Sequence, residues 1–466
     1  MVARKVGVGL TLDNDQRVAV VGGGPAGSFF SYFLLLFAER LGRAIEVDIY
    51  EPRDFTARGS LGCNMCGGIV SESLVQCLAM EGISLPDSTV QRGIDSYVMH
   101  TEAGTHRIDT PTLEKRIAAV HRGGGPRTAP ETKWESFDNH LLQIAAQKGA
   151  KIHSTRVAEL AWKKGKPEIR AGEKQPQTYD LLAGALGVNS PDLKLFENLG
   201  FRYRRPNVVR TFITEIALDN DSIRSRFGSS MHVFLLKLPR LHFAALIPKG
   251  DFVTLCLLGN NIDQALIRSF LEHPEVQRCF PSGWSLPKNI CRCAPKMSVG
   301  EAEAPFTDRV VLVGDCAASR LYKDGIGAAF RTAKAAARTA IFSGISAEDF
   351  ARGYLPEFRK IGRDNRYGKF IFSAIHLAKR VDFSSRLVIE ALIAENSKSA
   401  ARQRMSAILW DMFTGSAPYR DIFYSFFHPG FLAECLSASL RAFWGRTPKN
   451  SKSTRIKNSI QSQTRM

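Results

Sequence analysis

A chain that reads Arg17-Val18-Ala19-Val20-Val21-Gly22-Gly23-Gly24-Pro25-Ala26-Gly27 has few folds open to it. Val18 to Val21 is a short apolar run, the pattern of a strand buried on both faces of a parallel sheet. It leads straight into Gly22-x-Gly24-x-x-Gly27, and an apolar segment from Ser28 to Arg40 follows with the length of a helix. Ile45-Glu46-Val47-Asp48-Ile49-Tyr50 reads as a second strand, which closes on Glu51. Strand, glycine turn, helix, strand and acid, in that order, make a unit suited to the pyrophosphate of a dinucleotide. Gly22 permits the tight turn, Gly24 lets the backbone approach the phosphates, and Gly27 lets the helix close on the strand. Pro25 and Ala26 lie inside the same turn, where the unpaired N–H groups of the helix start attract the anion. Glu51 stands where a carboxylate accepts hydrogen bonds from an adenosine ribose.

At 466 residues the chain is too long for one simple core, so more than one lobe is expected. The formal charge of +18 favours contact with anionic lipid, nucleic acid or an acidic substrate. Part of it is local: Arg446, Lys449, Lys452, Arg455, Lys457 and Arg465 crowd residues 445–466, which hold no acid. A solvated, disordered tail explains that composition, an anionic membrane surface is the next reading, and nucleic acid fits worst. The polar first sixteen residues do not resemble a secretory leader, and the longest apolar run, Phe29 to Ala38, is half a membrane span. These features point to a cytoplasmic protein, soluble or peripheral to the membrane.

Nine cysteines, an odd number, do not suggest a disulfide framework. Cys63-x-x-Cys66 and Cys291-x-Cys293 together would supply four thiolates, but the second pair has the wrong spacing for a zinc knuckle and Gly67-Gly68 looks like an approach to phosphate or flavin. No metal is expected there. Cys63 and Cys66 read either as a redox pair or reactive thiol, or as small packing residues.

Further along, Ile69 to Met80 reads as a helix, and Gly93 to His100 with Thr105 to Ile108 as a hairpin. A helix is expected from Ser136 to Lys148, ended by Gly149. Residues 151–154, 156–162 and 179–187 read as strands, with 163–177 a turn-rich loop. Four consecutive strands, 208–216, 231–238, 241–248 and 251–258, suggest one antiparallel sheet, followed by a helix over 262–280. Asp308 to Asp315 is another buried strand, ending in Gly314-Asp315, and Gly325-Ile326-Gly327 opens an alanine-rich helix over 328–343. Beyond Ala347 the pattern is helical, and dense in aromatics from Phe413 to Trp444.

Three separated elements, Gly22 to Gly27 with Glu51, the Asp180 to Ser190 strand and turn, and Gly314-Asp315 with Gly325-x-Gly327, resemble the two-domain flavoproteins of the p-hydroxybenzoate hydroxylase fold. Within them the chain most resembles the geranylgeranyl reductases, over roughly residues 16–344. The resemblance implies an α/β fold: a Rossmann-like FAD-binding domain from residues 16–85, 113–195 and 301–345, and an inserted antiparallel substrate sheet from 86–112 and 196–300. A helical region over 346–444 and the basic tail 445–466 would complete the chain.

The resemblance also assigns roles. Gly22, Gly24, Pro25, Ala26 and Gly27 would hold the FAD pyrophosphate, with Glu51 on the ribose and Arg53 beside it. Gly314 and Asp315 would bind the ribityl chain or its phosphate, and Gly325, Ile326 and Gly327 would face the flavin pyrimidine edge. Cys66-Gly67 matches the reductases' Cys-Gly pair at the isoalloxazine, where Cys66 would be a proton donor or part of the pocket floor. Leu241 to Asp251 resembles a degenerate form of their aromatic-x-aromatic-x-Phe-Pro-Lys-Gly segment. Two positions depart from the pattern. Leu186 stands where hydroxylases carry an acid that serves FAD and the nicotinamide approach, so NAD(P)H is left open as electron donor beside an electron-donor protein. Trp134 replaces an arginine ahead of the Phe-Asp helix start, a role open to Arg122 or Arg127. The expected activity is FAD-dependent reduction of carbon–carbon double bonds in an isoprenoid or other hydrophobic substrate. The alternatives are a flavin monooxygenase and a non-catalytic flavin protein on a membrane surface.

Overall fold

The computed structural model describes residues 10–63, 66–110, 117–127, 134–287, 291–395, 399 and 402–444. The basic tail 445–466 and the Asn64-Met65 link between Cys63 and Cys66 lie outside them. A six-stranded sheet forms the first layer, in the order Phe306–Thr307, Val310–Leu312, Leu181–Gly184, Gln16–Val21, Ile45–Tyr50 and Lys151–His153. Every pair is parallel except Phe306–Thr307 with Val310–Leu312 at the edge. Val18, Ala19 and Val20 have no exposed surface, as a two-face-buried strand requires. The helices Pro25–Arg40 and Gly325–Phe342 pack together on the sheet, with Phe330 meeting Phe29 and Phe33 edge-on at 5.3 Å each.

The second sheet has seven strands, in the order Lys296–Ser298, Val208–Ala217, Phe252–Gly259, Leu241–Lys249, Ser230–Phe234, Ser96–Thr101 and Gly104–Asp109. The four expected consecutive strands are all in it, but the sheet is not wholly antiparallel: Ser230–Phe234 pairs in parallel with Ser96–Thr101, which arrives from a distant part of the chain. One face meets the C-terminal helices, and the other meets Gln264–Leu271 and Pro274–Gln277. Trp410 of the helix Arg404–Thr414 is fully buried against Tyr97, edge-on at 5.4 Å. Burial of a large side chain such as this contributes roughly 1.5–3 kcal/mol or more. The C-terminal helices therefore wall one face of the second sheet's core.

Local expectations fail where a polar or turn residue overrides an apolar run. Ile69–Val70 is a strand, not the first turn of a helix, because Ser71 takes the N-cap: its Oγ accepts from Leu74 N at 3.3 Å and the helix is Glu72–Met80. Val90–Ile94 pairs with Ile117–Val120 in a separate three-stranded sheet, so the hairpin begins only at Ser96. Residues 163–177 are not a loop. Lys164 and Gly165 take positive φ of 49° and 75°, and the chain turns into the strand Lys166–Ala171. The helix expected over 262–280 breaks before Pro274, which cannot donate into the preceding turn.

Candidate functional site

The first glycine turn is shaped by close approaches. A Cβ on Gly27 would stand 1.9 Å from Gly22 O, and one on Gly22, at φ 108°, would stand 2.7 Å from Ala185 O. Gly24 differs: a Cβ there would meet nothing within 4 Å, although it is the N-cap of Pro25–Arg40 and no side chain caps that helix. Open space in front of an uncapped helix start is what an anion needs. Glu51 is buried and holds the loop: Oε2 accepts from Gly23 N at 2.9 Å, and Oε1 accepts from Arg53 N at 3.0 Å and Arg53 Nε at 3.3 Å.

Gly314 joins this turn to the rest of the site. It sits at φ 71° against Ala26, and its Asp315 neighbour leads into the cavity. Burial pushes the Asp315 carboxyl above the ordinary carboxylate range, against the Ser319 hydroxyl and the charge of Arg122. A carboxylate in this position gains from a hydroxyl-bearing ligand. The second uncapped helix start, at Gly325, faces the same space. Its N-cap Asp324 takes the left-handed conformation, φ 51° and ψ 37°, and its Oδ1 accepts from Ser71 Oγ at 2.7 Å. The Asp324 carboxylate lies so close to Gly327 that a Cβ there would be 2.3 Å away.

Cys66, Gly67, Arg122, Asp315, Gly325 and Ile326 line one cavity of about 230 Å³. A Cβ on Gly67 would press on Cys256 Sγ at 3.1 Å and Ile247 Cδ1 at 3.2 Å, so this loop lies directly on the sheet. Arg122 binds Asp138 through two parallel bonds, Nε to Oδ1 at 2.7 Å and Nη2 to Oδ2 at 2.8 Å. Burial opposes its charge, yet Asp138 and the Cys66 sulfur hold the guanidinium above its ordinary range. Arg127 lies instead against Gly59, so of the two candidates Arg122 is the one placed in the cavity. Leu186 packs against the core of the first sheet and brings no carboxylate. The opposite wall is apolar, from Ile213, Met231, Val233, Phe243, Ala245 and Ile247 of the second sheet, with Phe413 and Thr414 contributed by a C-terminal helix.

Several wall residues were not legible from motifs. Arg320 is buried, donates to Gly415 O and Ala417 O, and lies over the Tyr419 ring at 4.5 Å, which clasps the C-terminal helices to the Gly325 loop. Lys323 donates to Met412 O, and burial, helped by Arg320, holds its ammonium well below the ordinary lysine range. Their only signal was position, immediately ahead of Gly325-x-Gly327.

No protein-family model matches the chain, and no curated protein matches it in sequence. Solved structures do match. The halogenase PltM, in a complex with phloroglucinol and FAD, is 12% identical with a TM-score of 0.58, over 96% of this chain and 95% of that one. The flavin-dependent brominase Bmp2 is 14% identical with a TM-score of 0.54, over 97% and 99%. The p-nitrophenol 4-monooxygenase PnpA from Pseudomonas putida DLL-E4 is 15% identical with a TM-score of 0.54, over 87% and 100%. With these likenesses beside its parallel sheet, inserted second sheet and helical C-terminal region, the chain has the fold of flavin-dependent halogenases and monooxygenases.

Proposed function

We propose that the chain binds FAD and oxidises a small hydrophobic molecule in the manner of a monooxygenase. The observation that carries this reading is a cavity of about 230 Å³ that has Asp315, Gly325 and Arg122 on one side and an apolar sheet face on the other. The residues present fit the cofactor: an open cradle at Gly24, an uncapped helix start at Gly325, and the Asp315 carboxylate between them. Bound there, FAD supplies two-electron redox chemistry that no side chain of this site can supply. Gly24 and the helix start behind it would receive the pyrophosphate, and Asp315 the ribityl hydroxyls. The helix N-terminus at Gly325 favours negative charge in front of it. Ile213, Met231, Val233 and Phe243 would strip water from an apolar substrate. Leu186, at the position of an acid in hydroxylases, favours a separate electron-donor protein over direct use of NAD(P)H.

A second reading, reduction of an isoprenoid double bond as in the geranylgeranyl reductases, is favoured by the position of Cys66-Gly67 on the cavity wall beside Arg122. Anaerobic photoreduction of the purified protein separates the two. Under ¹⁸O₂, oxidised product carrying label supports the monooxygenase. Flavin reoxidation by polyprenyl substrates without oxygen supports the reductase. A folded preparation supplied with FAD that stays colourless sinks both and leaves a non-catalytic protein.

We also propose that this enzyme docks on anionic lipid. Leu432, Leu436, Leu440 and Phe443 are 52%, 66%, 56% and 78% exposed along the helix Pro429–Trp444, at spacings that place them on one face. The sequence continues into six basic residues, the charge that an anionic surface attracts. Among the described residues no helix is long and apolar enough to cross a membrane, so the contact would be peripheral.

A further inference from the structure

On the face of the second sheet away from the cavity, His100, His232 and Cys279 converge. His100 and His232 come from the parallel neighbours Ser96–Thr101 and Ser230–Phe234, and Cys279 follows the short helix Pro274–Gln277. Strand alternation puts His232 on the face opposite Met231 and Val233, which line the cavity. All three side chains are at least 94% buried, with exposures of 5%, 6% and 4%.

The donor atoms form a tight triangle. His100 Nε2 lies 3.0 Å from His232 Nδ1, and Cys279 Sγ lies 3.4 Å from His232 Nδ1 and 3.9 Å from His100 Nε2. Three atoms at those separations lie on a circle of radius about 2.0 Å, close to Zn–N distances of about 2.0–2.1 Å and a Zn–S distance of about 2.3 Å. We propose that this triangle is a zinc(II) site, built from two imidazoles and one thiolate, that ties the Pro274–Gln277 segment to the sheet.

The surroundings carry the proposal further than the triangle alone. Thr105 Oγ1 lies 3.0 Å from His100 Nδ1 and 3.5 Å from Glu275 Oε2; with its hydrogen turned to the carboxylate, it accepts from Nδ1. In that arrangement His100 Nε2 is a lone pair 3.0 Å from His232 Nδ1 and 3.9 Å from Cys279 Sγ, and Thr105 plays the part of the outer partner that orients a metal-bound histidine. Without a cation, the proton between the rings then sits on His232 Nδ1, and the thiol 3.4 Å away donates instead to Glu275 O at 3.6 Å. A cation would engage all three donor atoms at once. Binding requires Cys279 to release its thiol proton to solvent and His232 to carry its remaining proton on Nε2. The Cys279 thiolate would offset half of a divalent charge, and the Glu275 carboxylate, which also pairs with Arg278, lies behind Thr105. Phe234 stacks on His100 at 4.5 Å and Phe227 lies 4.8 Å from His232, which keeps the site apolar around its ligands.

The proposal does not depend on the flavin reading. The test uses untagged full-length protein, purified without chelator and assayed for zinc by mass spectrometry. About one zinc per chain is expected, with Cys279→Ser and His232→Asn falling to a tenth or less. Thr105→Val touches no ligand atom and should weaken zinc 10–100-fold. Cobalt(II), added to chelator-treated wild type, should give a thiolate charge-transfer band that Cys279→Ser lacks. If the variants fail to fold, wild type alone decides: chelation should lower Tm and zinc should restore it. Wild type that neither carries zinc nor responds to it overturns the site, as does a Cys279→Ser variant that binds zinc like wild type. Stoichiometric copper in place of zinc overturns the metal assignment.

Discussion

A Cβ placed on Gly314 would stand 2.6 Å from the Cβ of Ala26, so the two glycine-bearing turns of the site touch through a position that only glycine can fill. Its φ of 71° adds the left-handed strain of a non-glycine residue. Gly314→Ala should therefore push the helix start Pro25–Arg40 away from the cavity mouth. The expected outcome is a loss of about 1–3 kcal/mol in urea unfolding and loss of flavin on gel filtration. A variant that keeps both would break the link between the two turns.

Gly24 and Gly27 make opposite predictions three residues apart. Gly27→Ala collides with Gly22 O and should not give folded protein. Gly24→Ala meets nothing, and its φ of −65° suits alanine, so stability should fall only by the N-cap preference for glycine, about 1 kcal/mol or less. The added methyl occupies the phosphate cradle, and FAD affinity measured by fluorescence should fall at least tenfold. Unchanged affinity in Gly24→Ala would remove the pyrophosphate from this turn.

Asp315 couples cofactor binding to pH. Its carboxyl is raised in the folded state by burial, so between the unfolded and folded pKa values the native chain holds more protons. Stability of the flavin-free protein must then fall as pH rises from near 3.8 through the folded value. Asp315→Asn abolishes that cost at neutral pH. Thermal scans should show the flavin-free variant melting higher than wild type at pH 7 and no higher at low pH. Flavin retention should drop, because charge-assisted hydrogen bonds of roughly 1.5–3 kcal/mol are lost. Cys66→Ala should keep its flavin. The reverse order of retention would overturn both assignments.

How far the sequence reaches is clear from these residues. Gly22, Gly24, Gly27 and Gly325 were legible because each meets a local backbone demand, a turn, a close approach or a helix start, and Asp315 because it follows Gly314 in a short Gly-Asp motif. Arg122 was one of two open candidates, since its partner Asp138 lies sixteen residues on and only folding chooses between it and Arg127. Arg320 and Lys323 were not legible, because their partners, Gly415, Ala417 and Met412, are carbonyls about ninety residues away. The parallel pairing that brings His100 beside His232 was hidden for the same reason: a period-2 pattern says which face a residue takes and nothing about its neighbouring strand.

Arg122, 16% exposed at the cavity wall, and Asp138, fully buried, form an ion pair, so removing one partner strands the other. Arg122→Leu and Asp138→Leu should each cost about 3–5 kcal/mol. The double variant should recover much of that loss, because two apolar groups need no partner. Stability measured as a double-mutant cycle gives the coupling directly. Additive losses would mean that Arg122 is held by the cavity, not by Asp138. Cofactor affinity should fall in Arg122→Leu and in the double variant alike if Arg122 faces the flavin.

The lipid-docking reading divides between an apolar stripe and a charged tail, and the two are separable. Leu436→Glu and Leu440→Glu place charge on a face that is already exposed, so the fold should be undisturbed and the flavin spectrum unchanged. Each of the six basic residues of 445–466 could contribute about 1 kcal/mol near an anionic bilayer. Co-sedimentation with vesicles containing phosphatidylserine should show binding by wild type at low salt, screened as the Debye length shortens to about 3 Å near 1 M salt. Truncation after Trp444 should weaken that binding and flatten its salt dependence. Leu436→Glu with Leu440→Glu should weaken it at every salt concentration, because the stripe acts by burying apolar surface. Wild type that ignores anionic vesicles at low salt ends the proposal. A truncated chain that binds as tightly as wild type assigns the contact to the stripe and leaves the tail as solvated chain.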